Sequence, residues 1–206
     1  MIELIAFLGN PGQEYAKNRH NAGRLLAECL AFAPALNWQK KYKGLYAGLD
    51  PALFPPLSGQ RAEPVRLLMP ETYMNRSGES IQAAASFFRI PPDRILAVHD
   101  ELELPLGTAA LKFSGGLGGH NGLRSLKACL GTADFWRLRL GIGRPNHEDI
   151  SGWVLSDFSA PEREILEEVF PAAAAALTQA LAEGPETLLP EWNKKRIARQ
   201  SPAPLP

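Results

Sequence analysis

Two hydrophobic periods alternate along the whole chain, and this limits the fold more than any other feature. Short apolar runs, IELIAFL (2–8), VRLLM (65–69), RILAVH (94–99), AALKF (109–113) and RLRLGIG (137–143), have the length of strands and are bounded by Gly, Pro or charged residues. Between them lie stretches of helical spacing over 20–32, 77–88, 121–130 and 161–182. Strands that read as nearly continuous apolar runs need cover on both faces, and the intervening helices supply it. The expected fold is α/β, a single domain with a twisted mixed central sheet and helices packed on both faces. GLYAGLD (44–50) makes the sheet mixed, because it fits one arm of a hairpin with 65–69 across the Pro-rich PALFPPLSGQ (51–60). The domain is expected over 1–200, followed by a disordered Pro-rich tail, SPAPLP (201–206).

A chain of 206 residues, 45% of them apolar, can bury a full core. Its 22 basic and 22 acidic residues cancel, so an anionic partner must be met by a local patch. Cys29 and Cys129 each interrupt an apolar helical pattern and form no CxxC or metal spacing, so both are expected to be buried in a reducing compartment. The first run has no basic segment before it and is too short for a signal sequence, and no later segment is expected to reach the length of a membrane span. A cytoplasmic protein without membrane contact is the expectation.

In open α/β sheets ligands bind beyond the carboxyl ends of the strands. Four such segments carry polar chemistry: Gly-Asn-Pro-Gly with Asn10, the stretch through Tyr73, Met74 and Asn75, His99-Asp100-Glu101, and SGGLGGHNG (114–122) running into Asn121. Asn10, Asn75, Asp100 and Asn121 are expected to converge there. Taken singly, an asparagine in a turn reads more readily as turn chemistry than as a ligand contact. The glycine segment matches neither GxxxxGK[ST] nor GxGxxG, so a nucleotide site is a weak reading. What its glycines allow is close approach of backbone amides to a bulky ligand.

Among the four histidines, His20 is the candidate general base, with Asp100 to fix its tautomer and hold its proton. Strand alternation turns His99 into the core, His120 is assigned no more than ordering of the glycine loop, and His147 falls in a polar loop. Ser77, Ser80 and Ser114 lack a nucleophile-elbow setting, and no histidine–carboxylate cluster has metal spacing such as HExxH. A His/Asp pair without nucleophile, metal or cofactor points to activation of water, with amide donors stabilising an oxyanion. Hydrolysis of an activated acyl group follows, an ester more easily than an amide.

LGNPGQEYAKNRHNAG, PETYMNRSG, HDELELPLG, SGGLGGHNGLRS and RLRLGIGRP, collinear and at these separations, resemble the bacterial peptidyl-tRNA hydrolases, a likeness that runs to about residue 182. The resemblance implies a cofactor-independent esterase that cleaves the bond between a peptide's carboxyl end and the 3′ ribose of tRNA. It implies that His20 activates water with help from Asp100 and that Asn10 contacts the peptide backbone. Asn75 and Asn121 would hold the peptide and the 3′ nucleotide, while Tyr15, Tyr73 and Met74 line the cleft. Lys112 and Arg139 match the pair that would clamp the tRNA 5′ phosphate, as their charges suit.

Leu117, Arg144 and the length of the 51–60 loop depart from the family pattern, and Arg144 could add a phosphate contact. The resemblance makes 148–157 a lid, and WNKKRIAR (192–199) reads as a basic helical stretch that either touches RNA or is simply a solvated helix face. The expected partner is peptidyl-tRNA, through its acceptor end and 5′ phosphate, bound by a monomer with no stable protein partner. The rivals are a non-catalytic RNA-binding protein on the same fold, a nucleotide binder built on the glycine loop, and a general peptidase or esterase indifferent to tRNA.

Overall fold

The computed structural model describes residues 1–53, 57, 63–146 and 148–198. Its strands are β1 (Leu4–Phe7), β2 (Gln39–Lys41), β3 (Gly44–Leu49), β4 (Val65–Pro70), β5 (Ile95–Glu101), β6 (Thr108–Phe113), β7 (Trp136–Gly141) and β8 (Lys195–Arg196). Its helices are α1 (Ala22–Glu28), α2 (Ser77–Phe88), α3 (Asn121–Leu130), α4 (Ile150–Val154), α5 (Ala160–Glu183) and α6 (Pro185–Trp192), with 3₁₀ turns between. Among the described residues the strands form one sheet in the order β2-β3-β4-β1-β5-β7-β6-β8. β1 pairs in parallel with β4 and β5, and β5 with β7, while β2, β3, β6 and β8 add antiparallel pairs at the two sides.

Period-two alternation sends Ile5 and Phe7 of β1 to one face and Leu4 and Ala6 to the other, all of them fully buried. The first face is covered by apolar residues of α1, α5 and α6, including Leu26, Leu177 and Trp192. The second is covered by α2 and α3 through Ile81, Ala84, Leu123 and Leu126. The expected two-sided α/β domain is present, and the hairpin of β3 with β4 holds the register Gly44↔Pro70 to Leu49↔Val65.

Several expectations need correction. The helix expected over 20–32 is a 3₁₀ turn, Arg19–Asn21, followed by α1, which stops at Glu28. The chain then turns through Leu30 to Phe32 into a separate 3₁₀ turn, Ala33–Ala35, in which Pro34 occupies an early position where its missing N–H costs nothing. That early stop leaves Cys29 exposed just past the helix end, and Cys129 is only half-buried, so neither is the buried core residue expected. The basic stretch from Trp192 is not helical beyond that residue: Lys195 and Arg196 form β8, held on the free edge of β6 through Thr108↔Arg196 and Ala109↔Lys195.

The glycine loop does not begin at the same end of the sheet as the other three polar segments. β6 runs antiparallel to β7, so Phe113 lies opposite Trp136, at the end away from Asp100. The loop then returns along the sheet to reach His120, and the buried Arg137 guides it by donating to the carbonyls of Gly116 at 2.7 Å and Gly115 at 3.3 Å.

α5 is long and apolar enough, by length and composition, to cross a bilayer, contrary to the expectation that no segment would reach a span. In this structure ten of its residues between Ile165 and Leu181 are buried in the protein's own core. Most of the Pro-rich 51–60 loop, His147, Arg199 and the 201–206 tail lie outside the described residues.

Candidate active site

β1 and β5 are adjacent and parallel, so the chain leaving β1 and the last residues of β5 emerge together. The sheet extends β5 two residues past the expected strand end, which fixes Asp100 and Glu101 in the ladder instead of in a loop. The 3₁₀ turn after β1 places His20 Nδ1 2.9 Å from Asp100 Oδ1, and Asp100 is 2% exposed. The same oxygen lies 3.0 Å from Nε2 of His120, the residue capping α3. His120 was assigned only a loop-ordering part in the sequence; the structure makes it a second partner of Asp100.

Backbone amides settle the tautomer of His120. Gly122 N and Leu123 N both donate to its Nδ1, at 3.1 and 3.4 Å, so Nδ1 carries no proton and Nε2–H points at Asp100. Burial alone would raise the Asp100 carboxyl, but the attraction of His120 and His20 outweighs it and holds the group well below the usual carboxylate range. With Asp100 ionised, His20 donates from Nδ1, which leaves Nε2 as a free base. His99 points into the core as expected, donating from Nδ1 to the Asp100 carbonyl oxygen at 2.7 Å. Desolvation, helped by His120, pushes its pKa well down, so it stays neutral.

His20, Asp100 and His120 offer three ligand atoms within 4.8 Å of one another, a spacing a metal could use. A cation on His120 Nε2, however, would force that proton onto Nδ1, where two backbone amides already aim their hydrogens. The arrangement fits a proton relay and does not fit a cation site.

The relay opens into a cleft of about 380 Å³ whose walls include Asn121, Gly119, Arg144 and, from α4, Ile150 and Val154. Gly118 and Gly119 turn there with φ of 58° and 75°, values that favour glycine. Gly122 is needed for another reason: a Cβ on it would stand 2.6 Å from Met74 Sδ, so the start of α3 could not pack this close.

The three asparagines and the aspartate expected to converge do not form one wall. Asp100 and Asn121 line the cleft, while Asn10 borders a second cavity of about 320 Å³ with Arg24 and Met69. Asn21, next to His20, clamps Asn10 at both backbone groups: Asn21 Oδ1 accepts from Asn10 N at 2.8 Å and Asn21 Nδ2 donates to Asn10 O at 3.0 Å. Asn10 Oδ1 accepts from Met74 N at 2.7 Å, which leaves its amide NH₂ as the group it can offer a ligand. Asn75 is exposed beside the buried Met74, Tyr73 is exposed and Tyr15 half-buried; none of these four borders the His20 cleft.

Lys112 and Arg139 share one face of the sheet, since Arg139 pairs with Ala110 and Lys112 stands two residues along β6. Arg139 Nε donates to Glu101 Oε2 at 2.9 Å, and Glu101 lines the cleft, so this carboxylate ties the basic face to the relay. Arg144 lines the cleft as well and pairs with Glu103 through Nε at 2.8 Å. Ser77 and Ser80 are fully buried and donate to the carbonyls of Met74 and Tyr42, consistent with no nucleophilic part for either.

Sequence reasoning missed Glu101, Arg137, Asn21 and Arg19. Glu101 was legible through its adjacency to Asp100, and Arg137 through its place two residues before Arg139 on a strand. Arg19 and Asn21 flank His20; the partners of Arg19 lie far away in the chain and leave no local trace, whereas Asn10, the partner of Asn21, is 11 residues away in the same motif.

A family model described as Peptidyl-tRNA hydrolase matches residues 4–200. Similar curated proteins include the peptidyl-tRNA hydrolase of Treponema pallidum, 47% identical and covering 95% of this chain and 96% of its own, and that of Desulfitobacterium hafniense, 43% identical over 94% and 100%. Among solved structures, the peptidyl-tRNA hydrolase of Acinetobacter baumannii superimposes with a TM-score of 0.83 at 36% identity, covering 96% of this chain and 97% of that one.

Proposed function

The chain belongs to the peptidyl-tRNA hydrolase family, and from that premise we propose that His20 Nε2 is the base that activates water, with Asp100 orienting the ring and stabilising it once protonated. The reaction itself is that of the family: hydrolysis of the ester between the peptide carboxyl end and the 3′ ribose of tRNA, releasing tRNA and peptide.

In the proposed mechanism a water between His20 and the ester carbonyl loses its proton to Nε2 as its oxygen attacks the carbonyl carbon. Asp100 faces the imidazolium that forms, and its charge favours that state. The oxyanion is met by the amide of Asn121 in the cleft, while the NH₂ of Asn10, facing the second cavity, contacts the peptide backbone. The imidazolium then returns its proton to the 3′ oxygen as the ester bond breaks. Asn75, Tyr15, Tyr73 and Met74 act around the peptide and the 3′ nucleotide, and Lys112 and Arg139 clamp the 5′ phosphate. We read residues 1–200 as one domain, working in the cytoplasm, where its substrate arises, as a monomer without a stable protein partner.

The observation that carries this reading is the 2.9 Å contact of His20 Nδ1 with the buried Asp100 at the wall of an open cleft. The test is hydrolysis of N-acetyl-aminoacyl-tRNA beside the unblocked aminoacyl-tRNA, with wild type and His20→Ala in parallel. Expected are rapid release from the blocked substrate alone and a loss in the variant on the order of 10²–10⁴-fold in kcat with little change in KM. A variant that turns over at the wild-type rate removes His20 as the base.

A further inference from the structure

We propose that Arg19 is a positioning residue for this hydrolysis: its guanidinium holds the α4 wall of the cleft in place against the turn that carries His20. The proposal rests on the reading of His20 as the base.

Arg19 immediately precedes His20, yet its side chain, 5% exposed, ends among groups more than a hundred residues away. Nη1 donates to the carbonyl oxygens of Ser156 at 3.2 Å and Asp157 at 2.6 Å and to Ser156 Oγ at 2.7 Å. Nη2 donates to both carboxylate oxygens of Glu162, at 2.8 and 2.6 Å. The guanidinium carbon lies 3.7 Å from the centroid of the Trp153 ring, in stacking range. The backbone repeats the connection, with Arg19 N donating to Ser156 O at 3.0 Å and Asn18 bridging to Asp157.

Everything Arg19 grips belongs to α4, to the link after it, or to the first turn of α5. α4 needs such a grip. It is five residues long with no fully buried residue, and only Trp153 and Val154, both half-buried, pack against the core, so its own packing is thin. Ile150, Ser151 and Val154 of this helix nonetheless share the cleft lining with His20. Trp153 Nε1 adds one donation to Gly143 O at 2.9 Å, Trp153 and Val154 rest on the core, and among the described residues Arg19 and the backbone beside it hold the link after the helix. Arginine suits the task because a planar fork can hold a carboxylate with one terminal nitrogen and two carbonyls with the other. A lysine is a point charge and cannot.

A plain structural staple for the start of α5 would use many of the same contacts, and kinetics separate the two. If Arg19 positions the wall, loosening it lowers the fraction of molecules with a competent cleft. Apparent KM then rises by the inverse of that fraction, while saturating substrate restores the arrangement and preserves most of kcat. KM for N-acetyl-aminoacyl-tRNA is expected to rise about tenfold in Arg19→Lys and about threefold in Glu162→Gln. Hydrogen exchange should quicken over 150–157 and over 18–21 together. A melting temperature that falls in both variants while KM stays at the wild-type value would overturn the proposal and leave a staple. Should Arg19→Lys fail to fold, Glu162→Gln and Ser156→Ala decide the matter by the same reading, since an unchanged KM in both is equally fatal. Loss of the His20 reading would show elsewhere, as wild-type turnover by His20→Ala.

Discussion

The His20–Asp100–His120 cluster gathers around the end of β5, and the Lys112–Arg139 face stands on β7 and β6 beside it, under opposite electrostatic conditions. Asp100 is buried and its two imidazole partners sit at 2.9 and 3.0 Å, one of them locked in its tautomer by backbone amides. Lys112 is half-exposed with no hydrogen-bonded acidic partner among the described residues, and Arg139 has one, Glu101. A reacting centre needs its dipoles fixed before substrate arrives, because reorganisation during the reaction would add to the barrier. A phosphate contact tolerates slack and works through charge, which salt can screen. The relay is therefore expected to fail sharply under substitution, and the basic face gradually.

Of the substitutions that compare the two regions, Asp100→Asn should give the largest loss. A neutral amide cannot stabilise the imidazolium, and kcat is expected to fall on the order of 10²-fold or more with KM nearly unchanged. The pH dependence of stability sharpens the point. The folded protein holds this carboxyl below its unfolded value, so its contribution is complete above about pH 5 and is lost as the pH falls through about 4 and lower. The gap in melting temperature between wild type and Asp100→Asn should narrow as the pH falls below about 4. A gap that went on widening below that pH would contradict the assigned ionisation.

Lys112→Ala and Arg139→Ala come next, acting on KM. Each should raise KM for full-length substrate about tenfold at low salt and reduce the slope of log KM against log salt by roughly 0.7–0.9. Equal losses at every salt concentration would mean that these cations do not meet phosphate. Glu101→Gln is the smallest of the set and lies at the seam between the two regions. It keeps an acceptor for Arg139 but removes the charge, and a rise in KM of about twofold to fivefold is expected with kcat retained. If kcat fell as far as in Asp100→Asn, the seam would belong to the relay and the division between the two regions would be redrawn.

The sequence by itself determined the elements and the chemistry they carry. Apolar period located the parallel strands and the long helices to within a few residues, since burial on both faces leaves no choice of residue type. Asn10, His20 and Asp100 were legible for a different reason: they stand at or after strand ends, where ligands bind in open α/β sheets. Only the tertiary structure decided which of these residues act together. His120 reaches Asp100 because β6 is antiparallel to β7 and its loop must return along the sheet. Asn10 is turned to a second cavity because Asn21 and Met74 consume its backbone groups and its side-chain oxygen. Cys29 is exposed because α1 ends one residue earlier. Arg19 and Glu162 stand 143 residues apart and meet through strand order and the path of α4, neither of which leaves a local signature in the residues. Side-chain period records which face is buried, whereas pairing between distant groups is fixed only when the sheet has closed and the helices have packed.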